Sequence, residues 1–161
     1  MYKTYFNDEI TPESANELVD KLHSQEGEIE LWFSTCGGDS AAMDFIISYL
    51  NSRKEELGVV LTERVCSAGT QLFLDFKGEI KIAEIDYILF HYSDRDLPSK
   101  NIGKINVNVL RKQDKQENKI FAKKLKKKKL LTAKQMKQFK KGEDIVIYKK
   151  QIMSWKYKQA F

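Results

Sequence analysis

Glu28-Ile29-Glu30-Leu31-Trp32-Phe33-Ser34 runs straight into Thr35-Cys36-Gly37-Gly38-Asp39-Ser40. The first seven residues alternate polar with apolar and then become continuously apolar, as a strand does on entering a buried sheet. The glycine pair lets the chain turn sharply. Beyond it, Met43, Ile46, Ile47 and Leu50 fall at i, i+3, i+4 and i+7, one buried stripe of a helix. Working upstream, Ala15, Leu18, Val19 and Leu22 repeat that stripe, with Thr11 placed to cap the helix and Pro12 at its first position. Working downstream, Gly58 closes the second helix and Val59-Val60-Leu61-Thr62 reads as a strand. Val65-Cys66-Ser67-Ala68-Gly69-Thr70 then leads into Gln71-Leu72-Phe73-Leu74, a buried helix. Residues 79–83 and 87–91 read as two further strands, the second ending at His91. Asp94 to Gly103 is polar and turn-rich, and residues 104–129 form one long basic helix. Thr132 caps a short helix through Phe139, Gly142 ends it, and Asp144 to Tyr148 is a last strand. Strands alternating with helices predict an α/β domain with a largely parallel sheet and right-handed crossovers. With no internal repeat and no linker, residues 1–161 are expected to form a single domain.

The 161 residues suit one domain able to bury its own core, and 42% apolar with 32% charged residues is a globular composition. No stretch approaches the roughly eighteen apolar residues of a membrane span. The opening residues lack the basic and apolar regions of a signal peptide. Two cysteines supply neither a disulfide framework nor a four-ligand zinc site, so no metal and no cofactor is expected. A cytoplasmic enzyme or binding domain is the expectation.

The formal net charge of +5 hides an asymmetry. Residues 1–110 hold 10 Lys/Arg and 19 Asp/Glu, whereas residues 111–161 hold 18 and 4. The plain reading of the basic run is a solvated helix face. An acidic partner, or a neighbouring subunit's acidic half, is the sharper one. Nucleic acid ranks last, because the run is almost all lysine with no interleaved aromatic to stack on bases.

Two strand-to-helix junctions could carry chemistry, since ligands in such folds sit beyond the carboxyl ends of the strands. At the first, Gly37-Gly38 offers backbone N–H groups that can hold a developing oxyanion, or else a plain tight turn. At the second, Ser67 in Cys66-Ser67-Ala68-Gly69 has the downstream half of a nucleophile elbow, although a serine there also serves as an ordinary helix cap. A hydroxyl needs a base to become a nucleophile. His91, at the end of Tyr87-Ile88-Leu89-Phe90, is the candidate; His23 reads as a surface residue. Cys36 and Cys66 read as small buried packing residues.

Glu30 to Ser93 resembles the proteolytic subunit of the Clp protease, the ClpP family. That family carries a strand, a Ser-Pro-Gly-Gly turn, an Ala-Ser-Met-Gly nucleophile motif and a strand ending in the catalytic histidine. The matching residues are Thr35-Cys36-Gly37-Gly38, Cys66-Ser67-Ala68-Gly69 and Leu89-Phe90-His91. A weaker match runs from Leu131-Thr132-Ala133 to Phe139. The resemblance implies a ClpP/crotonase-like domain of repeated ββα-type units with a basic, shortened handle helix. It further implies a serine-type peptidase. Ser67 would be the nucleophile and His91 the general base, with the N–H groups of Gly37 and Ala68 as oxyanion hole. A ring-type homo-oligomer would be the assembly and a peptide or unfolded protein the substrate.

The pattern departs from the family at three places. The family's acid falls on Lys124, which cannot stabilise an imidazolium; Asp94, Asp96 or Asp114 are the candidate replacements. The interval from His91 to Thr132 is shorter than the family's, which removes support for ring stacking. Little chain precedes the first strand, so an AAA+ unfoldase partner is not implied. Two alternatives stand beside the peptidase. One is a non-catalytic oligomeric scaffold; the other is a crotonase-like acyl-coenzyme A enzyme, which would need an acid/base carboxylate at a glycine junction.

Overall fold

The computed structural model describes residues 1–92, 104–155 and 157–159. The chain forms two units, Met1–Phe90 with Val146–Phe161 in one and His91–Ile145 in the other.

The first unit is built on a sheet. Strand β1 (Tyr2–Asn7) leads to helix α1 (Pro12–His23), β2 (Ile29–Thr35) to α2 (Ser40–Ser52), and β3 (Leu57–Cys66) to a 3₁₀ turn, Ser67–Gln71, and the short α3 (Leu72–Asp75). Strand β4 (Ile80–Phe90) follows. The sheet order is β1-β2-β3-β4-β5, with β5 at Ile145–Tyr148 and the short β6 (Lys158–Gln159) pairing with β4. The pairs β1–β2, β2–β3, β3–β4 and β4–β6 are all parallel. The protein is thus α/β with a mostly parallel sheet.

The expected helix signals act as read. Thr11 Oγ1 accepts from the Ser14 N–H at 3.1 Å and Ser14 Oγ accepts from the Thr11 N–H at 3.0 Å, a reciprocal cap on α1. Met43, Ile46, Ile47 and Leu50 of α2 are all buried, as are Ala15, Leu18 and Leu22 of α1. They form the core with Leu31, Phe33, Val59, Leu61 and Ile82. Phe73 of α3 is met edge-on by Trp155 and Tyr157, which pins the C-terminal segment.

The strands run longer than the apolar runs suggest. Residues 79–83 and 87–91 belong to one strand, Ile80–Phe90, and β3 continues past Thr62 to Cys66. Both extensions pass through an irregularity where Glu63, at φ +53°, pairs with Ile85. A bulge inserts polar residues without ending a ladder, so the polar break in the sequence marks a kink rather than a turn.

The second unit holds α4 (Lys104–Lys128), which matches the expected basic helix, and α5 (Ala133–Phe139). Thr132 caps α5 as expected, its Oγ1 accepting from the Gln135 N–H at 3.2 Å. The core here is small: Ala122, Leu125, Leu130, Leu131 and Phe139, with Tyr92 and Phe121 packed against the Phe139 ring. The lysines of α4 and α5 are mostly exposed.

Candidate functional site

The ends of β2 and β3 carry the distinctive backbone. Ser67 follows the last residue of β3 and has φ +51°, a region that residues with a Cβ avoid at a cost of about 1–2 kcal/mol. The N-cap of the 3₁₀ turn is Cys66, not Ser67. A helix-cap role therefore does not explain this serine. A strained serine at a sharp strand-to-helix turn is the local geometry of a nucleophile elbow.

Gly37 packs directly on it. A methyl group at Gly37 would lie 2.5 Å from Ser67 Cβ and 3.2 Å from Ser67 Oγ, and Gly37 itself has φ +105°. Only glycine meets both conditions, so the two junctions singled out in the sequence are brought together. Gly69 is fixed by the same packing, because a Cβ there would run into Thr35 Cγ2. Thr35 is 1% exposed and ties the turn together. Its hydroxyl donates to the Asp8 carbonyl at 2.7 Å and accepts from the Gly37 N–H at 3.0 Å.

That last bond bears on the expected oxyanion hole. The Gly37 N–H is already engaged by Thr35, whereas Ala68, also buried, sits one residue past Ser67. Gly38 meets Ile10 in an isolated parallel bridge made by the Gly37 carbonyl and the Asp39 N–H, which leaves the Gly38 N–H outside that bridge.

Beside the glycine turn lies an open cleft of about 370 Å³ lined by Asn7, Asp8, Glu9, Cys36, Gly37, Gly38 and Arg64. Cys36 corrects its sequence reading. It is exposed, and its Sγ accepts from Arg64 Nε at 3.0 Å, because the β3 bulge turns Arg64 toward the end of β2. Cys66 is buried as expected, and burial pushes its thiol pKa up, so it stays protonated beside Ser67.

His91 directly follows Phe90, the last residue of β4, and begins the second unit. The β3–β4 register sets Cys66 opposite Leu89. Within its own unit, His91 Nδ1 faces Asp144 Oδ1 at 3.9 Å. The separation exceeds a direct hydrogen bond but lies within ion-pair reach. The side chains are 36% and 65% exposed, respectively.

Asp144 was missed in the sequence. The signal was present: Asp114, Glu117, Glu143 and Asp144 are the only carboxylates after residue 110, and Asp144 stands at the mouth of the last strand. Of the residues named as possible acids, Asp114 is half-buried on α4, while Asp94 and Asp96 lie outside the described residues. Lys124, at the position of the family's acid, is half-buried on α4, and His23 is exposed.

Among the described residues no group of three or more His, Cys, Asp or Glu could hold a metal ion. No described helix is long and apolar enough to cross a membrane. No family model matches the chain, and no curated protein does.

Proposed function

We propose that the protein is a serine peptidase-like hydrolase of the ClpP/crotonase type, with Ser67 as nucleophile and His91 as general base. The observation that carries this reading is the left-handed Ser67 at the end of β3 with Gly37 packed on it. Strain of this kind persists only where surrounding structure enforces it, and it clusters at reactive positions.

The steps follow from the groups present. Ser67 Oγ attacks a peptide carbonyl while His91 takes its proton; collapse of the tetrahedral adduct expels the amine, which receives that proton from His91. Water, deprotonated in turn by His91, attacks the acyl-serine, and collapse releases the carboxylic acid product as Ser67 Oγ takes that proton back from His91. Asp144, rather than the residue at position 124, stabilises the imidazolium through its approach to Nδ1. The Ala68 N–H is one oxyanion donor. The second comes from the glycine turn, either from Gly37 by exchange of its bond to Thr35 or from Gly38. Each donor in comparable sites is worth about 3–4 kcal/mol. No metal or cofactor enters these steps. Peptide or unfolded protein is the substrate class, and self-association into a ring is the assembly this reading carries; an unfoldase partner is not required by it.

The test is labelling by a fluorophosphonate probe together with hydrolysis of short unstructured peptides. The protein should label and turn over, and Ser67→Ala should abolish labelling and lower turnover by about 10³-fold or more. Absence of labelling, with oligomers intact in Ser67→Ala, would instead identify a scaffold. Acyl-thioester chemistry is a second reading, drawn from Asp8 and Glu9 lining the cleft beside the glycine pair. Its mark would be thioester turnover that survives Ser67→Ala and falls in Glu9→Gln.

A further inference from the structure

Four exposed lysines of the second unit share one surface feature. Lys126, Lys129, Lys137 and Lys140 rim a groove of about 390 Å³ whose remaining lining is Leu131, Ala133 and Met136. The volume falls in the range of ligand clefts, about 300–1,000 Å³. All four lysines are exposed, whereas Leu131 is 9% exposed and Met136 half-buried. Ala133 is exposed, so the cations frame an apolar floor that is recessed at Leu131 and Met136. Lys129 has φ +56° at the end of α4. Helices favour glycine at such a position, so a lysine here keeps a fourth cation on the rim at a cost in backbone strain.

We propose that this groove docks an acidic segment of a partner protein, one that anchors an aliphatic or aromatic side chain on Leu131 and Met136 between flanking carboxylates. The charge complementarity is specific. Four like charges converge on one opening, and carboxylates interleaved between them relieve their mutual repulsion as well as pairing with it. Met136 suits an anchor of variable shape, because its unbranched side chain repacks readily.

Other anionic occupants fit less well. Single-stranded nucleic acid calls for aromatic platforms or arginine planes, and the lining has neither. A lipid surface calls for apolar side chains that protrude, and this floor is recessed. A second copy of the chain brings 19 acidic against 10 basic residues in positions 1–110 to meet 18 basic and 4 acidic residues in 111–161, which leaves an uncompensated cationic excess.

The experiment uses the full chain and a fluorescent peptide of about a dozen residues, a Leu-Phe pair flanked on each side by Asp and Glu. Binding is read by polarisation at about 50 and 300 mM salt. The peptide should bind, and weaken several-fold at the higher salt. A peptide with Asn and Gln for the acids, or with Ser for the Leu-Phe pair, should bind at least about tenfold more weakly. The surface variant Lys126→Glu/Lys137→Glu should lose about tenfold, as two rim attractions become repulsions. Met136→Asp tests the floor with a similar loss. Equal binding of the uncharged peptide would overturn the proposal. So would tighter binding of oligo-dT or of phosphatidylserine vesicles than of the peptide, or self-association that the Lys126→Glu/Lys137→Glu variant abolishes. These readouts do not depend on Ser67, so they stand whether or not the peptidase reading does.

Discussion

The two units hold the groups of the proposed site in opposite ways. In the sheet unit, Ser67, Gly37, Gly69 and Thr35 are locked by buried contacts, and the positive-φ residues Gly37, Gly38 and Ser67 sit at adjacent strand ends. In the basic unit, His91 and Asp144 stand 3.9 Å apart with both side chains partly in water. The proposed nucleophile is held by buried backbone packing, and the proposed base meets its carboxylate at the surface. A pair held this loosely stabilises a transient imidazolium less than a buried one, because water screens it. The difference predicts that substitutions in the sheet unit damage stability and activity together, while those in the basic unit separate the two.

Asp144→Asn is the largest way to break that contrast. In the serine protease template, loss of the buried acid costs about 10⁴ in turnover. For this exposed pair the expected loss is about 10²-fold in kcat with an unchanged melting temperature, read by peptide turnover and thermal unfolding. Lys124→Asp should leave turnover where it is. A rise in turnover with Lys124→Asp, and none lost with Asp144→Asn, would return the acid to α4.

Gly69→Ala probes the sheet unit. The added methyl would meet Thr35 Cγ2 and lie 3.3 Å from Val65 Cγ1, both on buried β-branched side chains with nowhere to withdraw. Overpacking of this kind costs about 2 kcal/mol. Displacing Thr35 also disturbs its bonds to Gly37 and Asp8, so activity should fall alongside the denaturation midpoint. Stability lost with turnover retained would show that the glycine turn is not part of the reactive machinery.

These two sites also show where sequence reading succeeds. The α2 stripe, the Thr11 cap and the glycine pair were legible because each is a local rule, a spacing or a residue type that one element demands. The meeting of Gly37 with Ser67 was legible only through the resemblance, since nothing local links the end of β2 to the end of β3. The continuous β3 and β4 were not read, because Glu63, Glu84 and Asp86 break the apolar runs while the ladder continues through a bulge. Cys36 was misread for a similar reason: Arg64 reaches it only once that bulge is made. Asp144 follows a helix and a turn, so its approach to His91 is a long-range contact with no periodic signature.

Lys129→Gly sharpens the contrast from the other side. If the basic unit gives up stability for charge placement, removing a side chain from the left-handed position should stabilise the protein by about 0.5–1 kcal/mol. For a chain of this length that is a rise of about 1–4 °C in Tm. Binding of the acidic peptide should fall about threefold in the same variant. A lower Tm would mean that the lysine side chain contributes packing there, and the strain argument for the groove would go with it.

The smallest effect concerns a charge that the sheet unit does anchor. Glu30 on β2 accepts from Trp32 Nε1 at 2.8 Å and lies 3.3 Å from Lys3 Nζ and 3.8 Å from Lys81 Nζ. The indole hydrogen bond, then the two lysines, hold its carboxyl below the usual carboxylate range against the opposing cost of burial. A depressed native pKa means that the stabilisation is complete above the unfolded value and fades as pH falls through the folded one. Glu30→Gln should therefore cost about 0.5 kcal/mol at neutral pH and progressively less below about pH 4, read from urea midpoints across that range. Lys123→Gln, at an exposed position of α4, is the control in the basic unit. If the Glu30→Gln deficit stayed constant into acid, the cluster would be acting through packing of Trp32 rather than through charge, and the sheet unit would hold its surface by the same means as its core.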